Sequence, residues 1–250
     1  MGIGRKLIAL SRTVSQRLLP DDHVPGVRLR YTLNQLQKME FALRGVGRSF
    51  RAASSILEFG CGSGRLTRHL PALAPGVAIV GCDVVSRCVE TCRRRYPAAT
   101  FVRNEWCPPL PFEDGRFDLV FSYSVFTHLS ERNHRDWLKE LARVLRPAGI
   151  MLHTTHSHEC LARMAMFSPG SLAKYAFGAD VPAFVAGATG YHYTVDNAAL
   201  PEYGLAVISE AYVREWWPRY SGLRLAAYHA GAIEAYPEGC QDIVMLEKSA

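Results

Sequence analysis

Glycines at positions 60, 62 and 64 alternate behind an acid, Glu58, where the apolar run Ile56-Leu57 hands over to a segment carrying Leu66 and Leu70. A strand, a glycine turn and a helix in that order hold a nucleotide at the strand's carboxyl end in open α/β sheets. A dinucleotide fingerprint requires a third glycine three residues after the second, to seat a pyrophosphate on the helix N-terminus, and that position here is Arg65. The loop therefore suits a ligand that presses against bare backbone and carries an amine for Glu58 rather than a phosphate. A second acid, Asp83, closes the apolar run Val77 to Cys82, about 20 residues beyond the glycines. At that register a carboxylate accepts from both hydroxyls of a free ribose.

Two histidines add a possible proton acceptor. His128 follows a strand read over Phe117 to Ser122, and His156 follows one read over Ile150 to Thr155. A neutral imidazole with its pKa near operating pH can take the proton of an attacking hydroxyl. His153, His156 and His158 also invite a metal reading, with His156 and His158 on one face if the strand continues. Glu159 alone supports it with a carboxylate, so no metal is expected.

The elements that must position these groups follow from periodicity and punctuation. Helical spacing of Leu33, Leu36, Met39 and Leu43 gives a helix from Thr32 to Arg44, closed by Gly45-Val46-Gly47, after Pro20, Pro25 and Gly26 interrupt the chain. Ser86 is placed to cap a helix reaching Arg95, and Thr100 to Arg103 reads as a third strand. Ser130 caps a helix to Arg146 with Trp137, Leu138, Leu141, Val144 and Leu145 on one face, stopped by Pro147 and Gly149. Later strands are read at Gly204 to Ile208, Leu223 to His229 and Gln241 to Glu247, with a helix capped by Ser209 between the first two.

The motif Glu58-Phe59-Gly60-Cys61-Gly62-Ser63-Gly64, the Phe117-Asp118-Leu119-Val120 strand and the Trp137 to Gly149 helix resemble class I S-adenosylmethionine-dependent methyltransferases over about Ser55 to Thr155. The resemblance implies a Rossmann-like three-layer α/β sandwich with a seven-stranded, mostly parallel sheet and an antiparallel last strand. It implies S-adenosyl-L-methionine as cofactor, lined by Glu58, Gly60, Cys61, Gly62, Gly64, Asp83, Val84, Asn104, Glu105, Trp106 and Ser122. Either Asn104 or Glu105 takes the adenine amino group, with the Trp106 indole against the ring. Asp118 is expected to be structural, bonding backbone near the glycine loop. The acceptor is expected to be a small molecule or glycan hydroxyl, with His128 or His156 as the catalytic residue. Ser122-Tyr123-Ser124-Val125 stands where base N-methylating enzymes of this fold carry an N/D/S-P-P-aromatic motif, which argues against nucleic acid. A nonenzymatic scaffold that binds the cofactor, or an N-methyltransferase, are the alternatives.

Composition bounds the rest. The 250 residues are 48% hydrophobic and 21% charged, enough for a sizeable core, and the net charge of +6 is scattered rather than massed. Seven cysteines with no C-x-x-C pair read as buried thiols of a reducing compartment, and with no apolar run of membrane length the expected location is the cytoplasm. Residues 1–50 form an N-terminal helical segment, whose basic and apolar positions up to residue 30 offer peripheral contact with an anionic surface or a partner. Residues 51–155 form the cofactor-binding core, 156–205 an insertion acting as lid or acceptor pocket, and 206–250 the end of the sheet.

Overall fold

The computed structural model describes residues 25–167, 190–195, 203–235 and 239–250. The basic stretch 1–24 and most of the expected insertion lie outside them, as do the side chains of Arg30 and Tyr31. Seven strands form one sheet in the order β3-β2-β1-β4-β5-β9-β8: β1 (Ser55–Phe59), β2 (Ala78–Asp83), β3 (Thr100–Arg103), β4 (Phe117–Ser122), β5 (Leu145–Thr155), β8 (Arg224–Ala235) and β9 (Gly239–Glu247). The pairs from β3 to β5 are parallel, and β9 runs antiparallel between β5 and β8. Two further strands, β6 (Tyr191–Val195) and β7 (Gly204–Ile208), pair antiparallel as a separate ribbon.

Alternation along the strands sorts the core into two layers. Ile56, Leu119, Phe121, Ile150, Leu152, Ile243 and Met245 face Leu36, Met39 and Leu43 of α1 (Pro25–Gly45), together with Leu66 and Leu70. Leu57, Val120, Met151, Val244 and Leu246 face Trp137, Leu138 and Leu141 of α4 (Glu131–Val144) and Val213 and Trp217 of α6 (Glu210–Ser221). Between β2 and β3, α3 (Ser86–Arg95) buries Val89 and Cys92 against Cys61 and Phe101. Ser130 and Ser209 cap α4 and α6 by accepting from Asn133 N and Tyr212 N, as their types require.

Several local readings are corrected. Pro25 opens α1 rather than breaking the segment, since a proline at the first helical turn sacrifices no hydrogen bond. The turn after the glycines is a 3-10 turn (Thr67–His69) running into a short α2 (Leu70–Leu73). Helix α4 ends at Val144, and β5 starts at once with Leu145 opposite Phe117, so Pro147 lies in an irregular strand opening where the register shifts. Ser86 is the first residue of α3 and caps nothing; Asp83 Oδ1 accepts from Val85 N, so the acid organises that turn. Asp118 is structural, but at the other end of the sheet. Its Oδ2 accepts from Ser54 N, Ser55 N and the Ser55 hydroxyl where β1 begins, and Oδ1 pairs with Arg146. The strand ends at Thr155 and α5 (His158–Phe167) follows, so His156 and His158 do not share a strand face.

Candidate active site

The glycine loop follows β1 at the carboxyl edge of the sheet. Gly60 N and Cys61 N donate to the Cys82 carbonyl, tying the loop to the end of β2. Gly60 has φ 76°, and a Cβ there would lie 2.3 Å from Val125 Cγ2, so packing as well as conformation excludes a side chain. Gly62 has φ 52° with nothing within 4 Å of a Cβ, so the backbone is open on that side. Its N–H donates to Asp83 Oδ2 at 2.8 Å. Gly64 packs beneath the Tyr96 ring and Cys92.

Three polar residues surround this loop. Glu58 is buried beneath it and accepts from the Thr67 hydroxyl; burial raises its pKa to about 8, against the opposing pull of Thr67 and Arg65. Asp83 is also raised, by burial, although Val85 N and Gly62 N donate to it. The Val84 N–H acts on it as well, and the roughly four acceptor sites of a carboxylate leave room beside these three backbone donors. Asn104 is buried where β3 ends; its Nδ2 donates to the Glu105 carbonyl, and its Oδ1 has no protein partner. Glu105 points outward and pairs with Arg103 at 3.3 Å. Trp106 and Val84 are half-buried, and the indole meets the Tyr203 ring edge-on at 6.2 Å. Ser122 stands apart from this group. It is fully buried, and its hydroxyl bonds His153 Nδ1 at 2.8 Å inside an aromatic cluster with Phe126 and Trp217.

The two candidate histidines converge from different strands. His128 Nδ1 lies 2.9 Å from the Gly204 carbonyl oxygen. A carbonyl only accepts, so Nδ1 carries the hydrogen and Nε2 is the basic nitrogen of the neutral ring. The ring stacks on Tyr203 at 4.9 Å and 13°. His156 is buried with neither ring nitrogen bonded to protein, and burial, then the proximity of His128, lowers its pKa to about 3. Next along the chain, His158 faces His192 of β6 with ring centroids 5.7 Å apart. Among the described residues no group of three or more His, Cys, Asp or Glu could hold a metal ion, and no helix is long and apolar enough to cross a membrane.

The structure adds residues that the sequence did not single out. Gln35 on α1 donates to the Tyr123 hydroxyl and accepts from Arg65, whose guanidinium lies 4.9 Å over the Tyr123 ring, so the first helix is latched across the loop. Buried polar Thr32 and Gln35 on an otherwise apolar helix face were the available signal. Ser124, at φ 58°, donates its N–H to Thr154 Oγ1 and accepts from Gln241 Nε2. No pattern in a sequence announces that junction of three strand ends.

Residues 56–149 match the methyltransferase domain family model. The chain is 28% identical over 213 residues to trans-aconitate 2-methyltransferase of an Azoarcus species, covering 74% of this chain and 80% of that protein. It is 38% identical over 101 residues to fatty-acid O-methyltransferase of Mycolicibacterium smegmatis, covering 40% of this chain and 36% of that one. Its fold is shared with Burkholderia thailandensis 1,6-didemethyltoxoflavin-N1-methyltransferase, at a TM-score of 0.61 and 14% identity over 98% of this chain and 87% of that chain. Magnesium protoporphyrin IX methyltransferase of Synechocystis shares it too, at a TM-score of 0.59 and 15% identity over 94% and 92%. In sheet order and over the domain that matches the family model, the chain is similar to class I S-adenosylmethionine-dependent methyltransferases.

Proposed function

We propose that this methyltransferase acts on an oxygen of a small-molecule or glycan acceptor, with His128 as the general base. The observation that carries this reading is the bond from His128 Nδ1 to the Gly204 carbonyl, which leaves Nε2 as the basic nitrogen. His156, with its pKa lowered to about 3, is neutral at working pH and a poor base; its unpartnered nitrogens suit a hydrogen bond to the acceptor instead. Tyr203 lays an aromatic face with a polar edge against the His128 ring, which suits an acceptor ring bearing hydroxyls. The O-methyltransferase among the relatives supports oxygen over nitrogen, and the N1-methylating neighbour shares the fold alone.

The residues fit S-adenosylmethionine. The open backbone at Gly62 admits close approach, the spare acceptor capacity of Asp83 suits ribose hydroxyls, and the orphaned Asn104 Oδ1 suits the adenine amino group. Asn104 is therefore preferred to the outward-facing Glu105. Val84 and Trp106 offer apolar surface for the base, Glu58 a carboxyl for the amino-acid moiety, and Ser122 only support through His153. When bound, the cofactor supplies an electrophilic methyl on a sulfonium, and the chain's part is to align the acceptor and remove its proton.

The test has two stages. Thermal unfolding of wild type with S-adenosylhomocysteine at 100 times its Kd should show a rise of roughly 5 to 10 °C that Asp83→Ala loses. Labelled donor is then offered with hydroxylated and carboxylated small molecules and with sugars. Turnover that His128→Ala abolishes with cofactor affinity intact supports the base; turnover indifferent to His128→Ala refutes it.

A further inference from the structure

Cys160 in α5 and Cys240 in β9 stand 80 residues apart in the chain, yet their sulfurs lie 3.1 Å apart and both side chains are buried. All seven cysteines are free thiols. About 1 Å of travel separates this pair from the ~2.05 Å of a disulfide bond.

The two sulfurs have different surroundings. Gly231, at φ 55°, leaves a space in which a Cβ would lie 3.0 Å from Arg163 Nη1 and 3.5 Å from Cys240 Sγ, so the guanidinium and the sulfur meet over one glycine. The Cys160 hydrogen bond, with help from Arg163, lowers the pKa of Cys240 despite its burial. Cys160 keeps its proton: the bond to Cys240, burial and the nearby Asp242 carboxyl, 3.4 Å from its sulfur, all push it up. Asp242 in turn accepts from Gly231 N at 2.7 Å and from the Tyr228 hydroxyl at 2.8 Å, so the β8–β9 side of the pair is braced. A thiolate-prone sulfur beside a protonated partner thiol is the arrangement of an attacking and a resolving cysteine.

We propose that Cys160 and Cys240 are a peroxide-oxidisable pair whose disulfide locks α5 onto β9. The Cys240 thiolate attacks hydrogen peroxide, the O–O bond breaks, and Cys240 becomes a sulfenic acid as hydroxide leaves. The Cys160 sulfur then attacks the sulfenic sulfur; the S–S bond forms, the S–O bond breaks, and the Cys160 proton leaves with that hydroxyl as water. Two thiol sulfurs are oxidised and one peroxide is reduced. A dithiol reverses the bond by exchange. The site lies outside the methyl-transfer chemistry and does not rest on it, although α5 leaves the sheet directly after His156 and Ser157 and would be fixed there.

The test uses the full chain, reduced, desalted and treated with hydrogen peroxide, then denatured and alkylated before nonreducing peptide mapping. The expected result is a Cys160–Cys240 linked peptide, the loss of two alkylation equivalents, and recovery of both with dithiothreitol. In Cys160→Ser the same treatment should leave Cys240 as a sulfenic acid trapped by dimedone. Alkylation of Cys160 and Cys240 in full while exposed Cys107 is oxidised, or a link joining other cysteines, would overturn the proposal.

Discussion

The Gly204 carbonyl fixes the tautomer of His128, although the two residues stand 76 apart in the chain. The contact is made because Gly204 opens β7, whose other edge pairs with β6, and because Gly204 N donates back to the His128 carbonyl at 2.9 Å. A side chain is excluded at Gly204, where a Cβ would lie 2.0 Å from the Thr194 oxygen. The ribbon of β6 and β7 thus sets the orientation of a group that the end of β4 supplies. His128→Asn keeps a donor for the Gly204 carbonyl and removes the basic nitrogen. We expect that variant to unfold at the wild-type temperature, to bind S-adenosylhomocysteine normally and to lose about 10²- to 10⁴-fold in kcat. A variant that retains full kcat would remove His128 from the reaction.

We expect Glu58 to make cofactor binding a proton-coupled event. With its pKa raised to about 8, the free protein holds this carboxyl neutral at pH 7. An ammonium group arriving beside it favours the charged form and expels the proton. Calorimetric titration with S-adenosylhomocysteine at pH 7 should therefore give different apparent enthalpies in phosphate and in Tris, with the difference abolished in Glu58→Gln. Equal enthalpies in the two buffers for wild type would mean that no amino group reaches Glu58.

The same carboxyl and the buried histidines pull stability in opposite directions with pH. His153 and His156 have folded pKa values lowered to about 3 by burial, so the unfolded chain takes up their protons first. Their contribution is intact above the unfolded value and is lost as pH falls toward 3, by about 2 kcal/mol for each at pH 5. Glu58 is raised, so its contribution is full below its unfolded value of 4.5 and is lost as pH rises through about 8. Acidification from pH 7 to 5 therefore gains about 2 to 3 kcal/mol from Glu58 while the histidines lose more. Urea unfolding at the two pH values should show Glu58→Gln losing that much more stability than wild type, and equal losses would contradict the neutral Glu58.

The sheet was legible because its strands are continuous apolar runs bounded by glycine, proline and acids, the pattern of strands buried on both faces. The glycine loop and Asp83 were legible because backbone geometry at a strand end dictates residue type. Two kinds of feature were not. Asp118 is structural as expected but bonds the start of β1 instead of backbone near the glycine loop: a carboxylate opening β4 in parallel register reaches the start of β1, and only the register of Ile56 with Leu119 reveals this. Ser122, taken as a ligand residue from its position at a strand end, turns inward because alternation from Val120 puts it on the core face shared with Phe126 and Trp217. The hold of Gly204 on His128 and the latch of Gln35 on Arg65 join segments far apart in the chain, and no local pattern encodes them.

Asp118 anchors the opposite edge of the fold from the active site, which separates stability from chemistry. Its carboxylate satisfies two backbone donors and the Ser55 hydroxyl and pairs with Arg146. We expect Asp118→Ala to destabilise by about 1 to 3 kcal/mol, since the part-buried donors at the start of β1 lose their acceptor. The affinity of the folded fraction for S-adenosylhomocysteine should stay at the wild-type value. A loss of affinity without loss of stability would place Asp118 in the site after all.

Gly60 and Gly62 are two residues apart, and alanine should damage them in opposite ways. At Gly60 the new methyl meets Val125 Cγ2 at 2.3 Å on top of the cost of a positive φ, so Gly60→Ala should lose about 2 to 5 kcal/mol of stability. At Gly62 the methyl meets nothing and only the backbone cost of about 1 to 3 kcal/mol applies. The space it enters is the open side of the loop beside Asp83, where the cofactor's backbone approach is proposed. Gly62→Ala should thus be the more stable of the two variants and still weaken S-adenosylhomocysteine binding by about 10-fold or more, as one misplaced contact of about 1.4 kcal/mol suffices for. If Gly62→Ala binds as wild type does, the cofactor lies elsewhere than against this backbone, and the roles proposed for Asp83 and Glu58 fall with it.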